Sequence, residues 1–554
     1  MKYRTVQTMM LPDCAEENYG LYYQGTGGIQ VQQGEKKSLS VPENEKADLF
    51  TYFNGFYPKQ WSQYAQLDGL RIKVTVSGNC RVLLCHIDGS RTVVDEEKES
   101  RTAADIKNEL VFEVSDVIEN IAAFWICVEG LAQGGVLYDV DFQSAVEVQQ
   151  AVRPAVVICT CRREKEVISN LERISRMDLE ERPGIFLIDN GNTLTEEMVP
   201  DWVHLVPNRN CGGAGGFTRG MIEALKDPGF THVILMDDDI VLNPEVLTKT
   251  MLFLSSVKKE WQDAPLGGSL IERDIPWKQF ECGAFWNRGR IQGCGQNMDL
   301  RKRDALLKNT ESQNWDYGGW WYCCIPVSAI REKGLPLPVF IHRDDIEYGI
   351  RMGKLMTLNG IGVWHEAVTK KLPQIGEYYD IRNMAILNAI HYDDWDKRQW
   401  KKFLVKWTAG NLLRGRYDYI YLNICAMLDF LKGEKWLENT DGVEIHKQVA
   451  SRLPKLEKLD KKEKNVFYTT PNVSVYTVAK KKHIVYEDSA GFCLRADKNL
   501  PETIRLSIYL LLALRKTDRY FERARESYGR NWKKLITEEF WNNYLEINKD
   551  EQEL

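Results

Sequence analysis

Three adjacent carboxylates, Asp237-Asp238-Asp239, directly follow the apolar run His232-Val233-Ile234-Leu235-Met236. Charges of one sign at that spacing repel, so a folded chain holds them mainly where a cation or solvent offsets them. In an extended segment residues i and i+2 point the same way. Asp237 and Asp239 therefore offer two hard oxygen donors suited to Mg²⁺ or Mn²⁺ shared with phosphates. Asn243-Pro244-Glu245 then reads as a helix start, with an Asn cap and Pro at the first position. An acidic, solvated turn at a strand end is the competing explanation. A second acidic pair, Asp344-Asp345, follows a short apolar run where a helix should begin. One of the two could act as a general base, and helix capping accounts equally for the other. His365 closes a β-like run that starts near Gly360. A lone histidine is more often structural than a ligand until another group points at it.

Two further segments carry weaker signals. Asn210-Cys211-Gly212-Gly213-Ala214-Gly215-Gly216-Phe217 reads as a strand-to-helix turn whose backbone N–H groups could approach a phosphate. No Gly-Lys-Ser/Thr follows, and Thr218 stands where a dinucleotide fingerprint needs its third glycine. A tight structural turn explains these glycines as well as ligand binding does. In Gly318-Gly319-Trp320-Trp321-Tyr322 the adjacent indoles could stack on sugar rings, or they could pack in a core.

These residues need a frame. The first 150 residues read as β, with alternation over 70–76, a turn at Ser77-Gly78-Asn79, and short runs at 81–85, 122–128 and 136–142. That spacing predicts an N-terminal β-sandwich domain over 1–150. From Arg153-Pro154 onward, buried parallel strands (155–160, 184–188, a third short one and 232–236) alternate with helices at 164–177 and around 221–225. This is an α/β nucleotide-binding sheet, assigned to 151–371. Residues 372–554 form a mostly helical domain with a basic insert at 453–482, where Glu457, Asp460 and Glu463 offset several lysines.

Composition sets limits. A length of 554 residues calls for two or three domains. A net charge of -6 argues against a duplex nucleic-acid binder. Thirteen cysteines without metal-finger spacing read as free thiols in a reducing cytosol. The N-terminus shows no signal peptide, and the apolar stretch 506–514 is too short to span a bilayer. The expected location is cytoplasmic, with peripheral contact at the inner face of the membrane open to the basic insert. A solvated loop is the alternative for that insert.

Taken in order, the strand-end Asp triplet, aromatic loop, Asp-Asp helix start and strand-end His resemble glycosyltransferases of the GT-A fold, family 2. The likeness is greatest to the polymerising galactofuranosyltransferases of the mycobacterial cell wall. It rests on Thr51-Tyr52-Phe53-Asn54-Gly55-Phe56 with Trp61, the MDDDI segment, residues 318–326, residues 340–351 with Val363-Trp364-His365, and Tyr379-Asp380-Ile381-Arg382-Asn383. The resemblance implies a multi-domain α/β chain whose central domain is GT-A, Rossmann-like.

It further implies an inverting, metal-dependent transferase. Asp237, Asp239 and His365 would hold a divalent cation, Mn²⁺ or Mg²⁺. Asp345 would be the base, with Asp344 its alternative. Thr160, Arg163, Asp189, Asn210 and Asp238 would line the site of a UDP-sugar donor, and Trp320 and Trp321 would form the acceptor platform. The implied donor is UDP-galactofuranose and the implied acceptor a cell-surface or capsular glycan, which a lipid could carry. A homo-oligomer fits the same resemblance. His342-Arg343 and Glu366 depart from the family pattern and leave acceptor and linkage open. The rival readings are another donor such as dTDP-rhamnose, an inactive sugar-binding protein, and a nucleotidyltransferase. The last would leave the Trp pair and the β-region unexplained.

Overall fold

The computed structural model describes residues 3–547 except 14–16, 26, 35, 90, 115–120, 179–181, 312–313, 367–371, 373–374 and 460. Residue 371, the expected end of the central domain, and Asp460 of the insert fall outside the described residues.

The N-terminal region is an antiparallel sheet of eight strands built on two long ones, Leu70–Asp88 and Phe124–Ser144. The sequence pattern had divided each of these into two short strands. The expected turn at Ser77-Gly78-Asn79 is instead a bulge, where the pairing of the two strands shifts register between Gly78 and Cys80. Gly78 has φ +75°, and a Cβ there would lie 2.8 Å from the Gly134 carbonyl oxygen of the partner strand. Glycines facing each other let both strands kink and continue, so the turn-forming residues bend the sheet without ending it.

The central sheet places Val203–Pro207, Gly184–Asp189, Pro154–Thr160 and His232–Asp237 side by side in parallel. Tyr322–Pro326 and Leu266–Glu272 follow, and Met356–His365 runs parallel to the latter. Chain order reverses between the Thr160 and Asp237 strands. In open α/β sheets ligands settle in the crevice at the carboxyl ends beside such a reversal.

The helix after the third strand spans Gly212–Leu225 and begins nine residues before the expected 221. The glycine-rich segment is thus its first turns. Glycine is disfavoured inside helices, so something else selects it. A Cβ on Gly216 would lie 2.1 Å from Cys159 Sγ, and one on Gly220 2.1 Å from Val157 Cγ1. The glycines let the helix lie almost directly on the Thr160 strand.

The C-terminal region packs the helices Gly376–His391, Lys397–Arg414, Tyr417–Phe430 and Leu500–Asn531 together. Within the basic insert and just after it, Glu457–Lys458, Phe467–Thr469, Ile484–Glu487 and Phe492–Arg495 form a small four-stranded sheet.

The largest hydrophobic core runs without a break from Val6 to Trp364, so the N-terminal sheet and the central sheet share one interior. Their junction shapes the His365 strand. Between Gly267↔Thr357 and Ser269↔Gly362 the pairing jumps, and residues 358–361 bulge toward the N-terminal region. There Asn359 N–H donates to Gln60 Oε1 (3.0 Å), Tyr52 Oη donates to Ile361 O (3.0 Å), and Gly360 takes φ +83°. Lys249, fully buried beside this bulge, donates from Nζ to Phe53 O (3.1 Å).

Two measurements test this packing. Gly220→Ala should lower stability by about 1–3 kcal/mol, the usual cost of overpacking a core. An unchanged melting temperature would mean that the helix stands further from the strand. Burial pulls Lys249 down to about 7. An unfolded lysine holds its proton to about pH 10, so above pH 7 the unfolded chain binds more protons and this group's contribution to stability rises with pH. Below pH 7 both states are charged and the burial penalty is complete. Denaturant titrations across this range should show the rise, at most about 1.4 kcal/mol per pH unit, in the native chain and not in Lys249→Met.

Candidate active site

Thr160, Asp189 and Asp237 all sit at the carboxyl ends of parallel strands. Asp189 is in register with Thr160, and Asp237 with Cys159. His365 arrives from the other side. Val241, just past the Asp triplet, bridges Trp364 through backbone bonds of 2.7 and 3.2 Å, which brings the strand-end imidazole over the triplet. One ligand atom each from Asp237, Asp239 and His365 lie within 4.8 Å of one another. His365 Nε2 is 3.1 Å from Asp239 Oδ1 and 4.0 Å from Asp237 Oδ2.

This donor set fits a divalent cation. His365 Nδ1 lies 2.6 Å from Glu366 O, which can only accept, so the proton sits on Nδ1 and a neutral ring turns its Nε2 lone pair to the carboxylates. Two carboxylates and one imidazole suit Mn²⁺ and admit Mg²⁺. Without a cation the carboxylates act on the ring itself. Burial lowers the His365 pKa, but the hydrogen bond to Asp239 and the nearby Asp237 outweigh it and leave it raised. Asp237 is raised by the protein atoms packed around it, although 37% of its side-chain surface still opens to solvent; His365 draws it down and Asp239 pushes it up.

Asp238 turns the other way, into the protein. It accepts from Thr160 Oγ1 (2.8 Å) and from Arg163 Nη1 (2.8 Å), and the same guanidinium nitrogen reaches Asp239 Oδ2 at 2.6 Å. Three of the expected donor-site residues, Thr160, Arg163 and Asp238, therefore form one network that braces the ligand pair. Asp189 is committed to its own loop. Its carboxylate accepts from the backbone N–H groups of Gly191, Thr193 and Leu194 at 2.7–2.9 Å. Its place is at the crevice, but its immediate work is holding the loop that follows. Asn210 Oδ1 caps Gly212 N–H (3.0 Å) at the start of the glycine-rich helix, and its amide reaches Cys161 Sγ (3.8 Å).

The second acidic pair starts the helix Asp344–Met352. A Cβ on Gly213 would lie 3.9 Å from Asp344 Oδ2, so Asp344 faces the beginning of the glycine-rich helix. Asp345 lines one small cavity with Tyr317 and Cys323, and its charge adds to the burial that raises Glu281. Both carboxyls are raised, chiefly by burial; Asp345 adds to the shift of Asp344, and Arg343 opposes that of Asp345. The glycine-rich helix links the two acidic groups, since its Gly216 packs on Cys159, the register partner of Asp237, and its Gly213 faces Asp344. The Cys159 thiol is raised well above the ordinary value by burial, then by Asp238, Asp237 and Asp344.

The residues before this pair are strained. Phe340, His342 and Arg343 have φ of +75°, +64° and +67°. Such values cost energy in non-glycine residues and persist only when the surroundings enforce them. The enforcement comes from Tyr379–Asn383. Asp380 Oδ1 is hydrogen-bonded to His342 Nδ1 (3.0 Å) and forms an ion pair with Arg343, whose Nε lies 3.0 Å away. Asn383 Nδ2 donates to Ile341 O (2.9 Å) and His342 O (2.8 Å), and Arg382 Nη2 donates to Val339 O (2.6 Å). The sequence flagged this segment by resemblance without a role, and the structure supplies one. Glu281 and Tyr317 carry no motif and were missed.

The Trp pair divides. Trp320 is 6% exposed, with its ring edge-to-face against Phe217 (5.3 Å) and Tyr348 (5.9 Å). Its faces are used in packing, which corrects the expectation of an acceptor platform for this residue. Trp321 is half-buried, with Nε1 donating to Gly268 O (2.8 Å), and keeps part of its ring accessible.

A family model described as the N-terminal region of galactofuranosyltransferase 2 matches residues 6–155. Galactofuranosyltransferase GlfT2 of Mycolicibacterium smegmatis is 25% identical over 449 residues, which cover 74% of this chain and 67% of that one. GlfT2 of Mycobacterium tuberculosis is 25% identical over 460 residues, 74% of this chain and 68% of the other. The chain is a glycosyltransferase. Among solved structures, GalNAc-T7 with UDP, GalNAc and Mn²⁺ matches at 13% identity and TM-score 0.32, over 47% of this chain and 54% of that one. Staphylococcus aureus TarS 1-349 with UDP-GlcNAc matches at 11% identity and TM-score 0.31, over 56% and 95%. Those overlaps are too slight to bear on mechanism.

If Asn383 holds the strained loop, Asn383→Leu should leave the Ile341 and His342 carbonyls unpaired and let the Asp pair drift. Turnover should fall about 10- to 100-fold, as expected for a misplacement near 1 Å, while the affinity for UDP stays close to native. Equal losses in both would argue for general unfolding instead.

Proposed function

We propose that the chain transfers galactofuranose from UDP-galactofuranose, with inversion and in the cytoplasm, to a cell-surface glycan acceptor that a lipid can carry. The observation that carries this reading is the grouping of Asp237, Asp239 and His365 at the carboxyl ends of the parallel strands, beside a glycine-rich helix that packs on Cys159 and faces Asp344 with its first turn. The donor identity is supported by the mycobacterial relatives. We also read residues 1–150, 151–371 and 372–554 as a β-sandwich, a GT-A catalytic unit and a helical unit. The first two are tied by their common core.

In this mechanism the acceptor hydroxyl oxygen attacks C1 from the face opposite the diphosphate. The C1–O bond to the diphosphate breaks, UDP leaves with the bonding pair, and Asp345 receives the hydroxyl proton. Asp237, Asp239 and His365 would hold a divalent cation, which would supply positive charge against the diphosphate. Arg163 and Thr160 keep Asp238 and Asp239 oriented. Trp321 offers the acceptor an accessible ring face.

The test is UDP release from UDP-galactofuranose, UDP-galactopyranose and dTDP-rhamnose, with Mn²⁺, Mg²⁺ or a chelator. Turnover should require the metal and the furanose donor. Asp345→Asn should lower it about 10²- to 10⁴-fold, and Asp344→Asn less. Turnover of a different donor would retain the mechanism and discard the galactofuranose assignment. A larger loss in Asp344→Asn would move the base to that residue.

A further inference from the structure

A cavity of about 560 Å³ lies between the helix Glu538–Tyr544, the segment 438–441 and Arg209. That volume falls within the range of small-molecule sites. Arg209 stands two residues beyond the strand Val203–Pro207, so the cavity is at the carboxyl ends of the parallel strands, beside the candidate active site. The helix Glu538–Tyr544 rests on the glycine-rich helix, where a Cβ on Gly215 would lie 3.8 Å from Trp541 Cζ3. Gly442, next to Asp441 of the cavity wall, packs on the strained loop, and a Cβ there would lie 2.4 Å from Phe340 Cδ2. The cavity therefore adjoins the elements that carry the metal ligands and the acidic pair, yet none of its lining residues belongs to either group.

The chemistry of the lining narrows the ligand. Its cations are already paired: Arg209 holds Asp441 (2.8 Å) and Glu546 (3.3 Å), and Lys534 holds Glu434 (2.9 Å) and Glu438 (2.7 Å). A phosphate would have to displace a carboxylate from one of them, and Glu539 would repel it. An acyl chain would bury hydroxyl, amide and carboxylate groups without partners. What remains is a neutral ligand that is apolar on one face and rich in hydrogen bonds at its edge. Phe540 and Tyr544, both half-buried, line the cavity with rings 5.4 Å apart and nearly parallel. Glu539 and Asn543, beside them on the same face of the helix, are exposed and have no side-chain hydrogen-bond partner among the described residues. A sugar ring matches this set, with its C–H face on an aromatic ring and its hydroxyls at the carboxylate and the amide.

We propose that this cavity binds a neutral saccharide unit of a glycan chain, at a distance from the sugar that reacts. The proposal rests on the transferase reading for the source of that glycan, the acceptor or the product. Saccharide binding itself needs neither metal nor turnover, so the two can fail separately.

The test is amide exchange of the full chain, with a chelator present, in a galactofuranosyl hexasaccharide, in maltohexaose or in UDP. The galactofuranosyl chain should slow exchange across 438–441 and 537–544. The double variant Glu539→Ala, Asn543→Ala should bind it at least about tenfold more weakly, the loss expected for two hydrogen bonds, at an unchanged melting temperature. In turnover, the variant should raise KM for the hexasaccharide acceptor and leave kcat and the KM of a disaccharide acceptor as they are. Protection by maltohexaose alone would support the saccharide site and count against the galactofuranose assignment. Protection of these segments by neither sugar, or by UDP in their place, would overturn the proposal. So would a double variant whose protection and hexasaccharide KM match those of the native chain.

Discussion

The register of the Met356–His365 strand is the constraint on which the candidate metal centre depends. A one-residue slip in a β-strand turns every side chain to the other face. His365 must nevertheless arrive over Asp237 and Asp239 with Nε2 toward them. The bulge at residues 358–361 sets that register, and it is held from outside the central sheet by Tyr52 and Gln60, with Lys249 and Phe53 packed behind. Without the bulge the strand would pair in step with Leu266–Glu272 and present a different residue at its end. The N-terminal sheet is therefore more than an appendage. It fixes the last step of the fold that brings the histidine to the carboxylates.

A similar logic holds the second acidic pair. Three non-glycine residues in the left-handed region precede it, and they keep that conformation because Asp380, Arg382 and Asn383 take up their carbonyls and cations. Both halves of the site thus stand on strained or irregular backbone, each braced from a different part of the chain. The parallel strand ends carry Thr160, Asp189 and Asp237 in regular geometry and need no such help.

That difference also decides what was legible in the sequence. Asp237 and Asp239 could be singled out because strand ends follow from apolar runs, and a run's last polar residues lie at its mouth. His365 was joined to them only through the family resemblance. The Asp344 helix start was equally readable. The glycine signals misled in two places. Gly78 read as part of a turn and proved to sit in a bulge against Gly134 and Gly135, because the deciding contact is between two strand segments far apart in sequence. Residues 210–217 read as a strand-to-helix turn and proved to be helix from Gly212 onward, because the space that Gly216 and the later Gly220 leave is filled by Cys159 and Val157. Trp320 fell to packing, since burial between Phe217 and Tyr348 depends on two other elements. Glu281 and Tyr317 reach Asp345 only through tertiary folding, and no local pattern marks them.

The carboxylates around the strained loop separate into two kinds. Burial alone would raise Asp380, but Arg343 and His342 at hydrogen-bond distance bring it down to about 2, so it stays ionised at every physiological pH. Asp344 and Asp345, equally surrounded by protein, lack such a close cation and are raised. Within one loop, one acid is therefore kept as a permanent anchor while its neighbours are brought toward the range where proton transfer is easy. Environments that push like groups apart are how acid and base roles become assigned in a single fold. Because Arg343 also lies close enough to lower Asp345, its orientation toward Asp380 tunes the candidate base as well as the loop. The anchor and the candidate base are thereby coupled through one guanidinium, so position 380 bears on Asp345 through both geometry and charge.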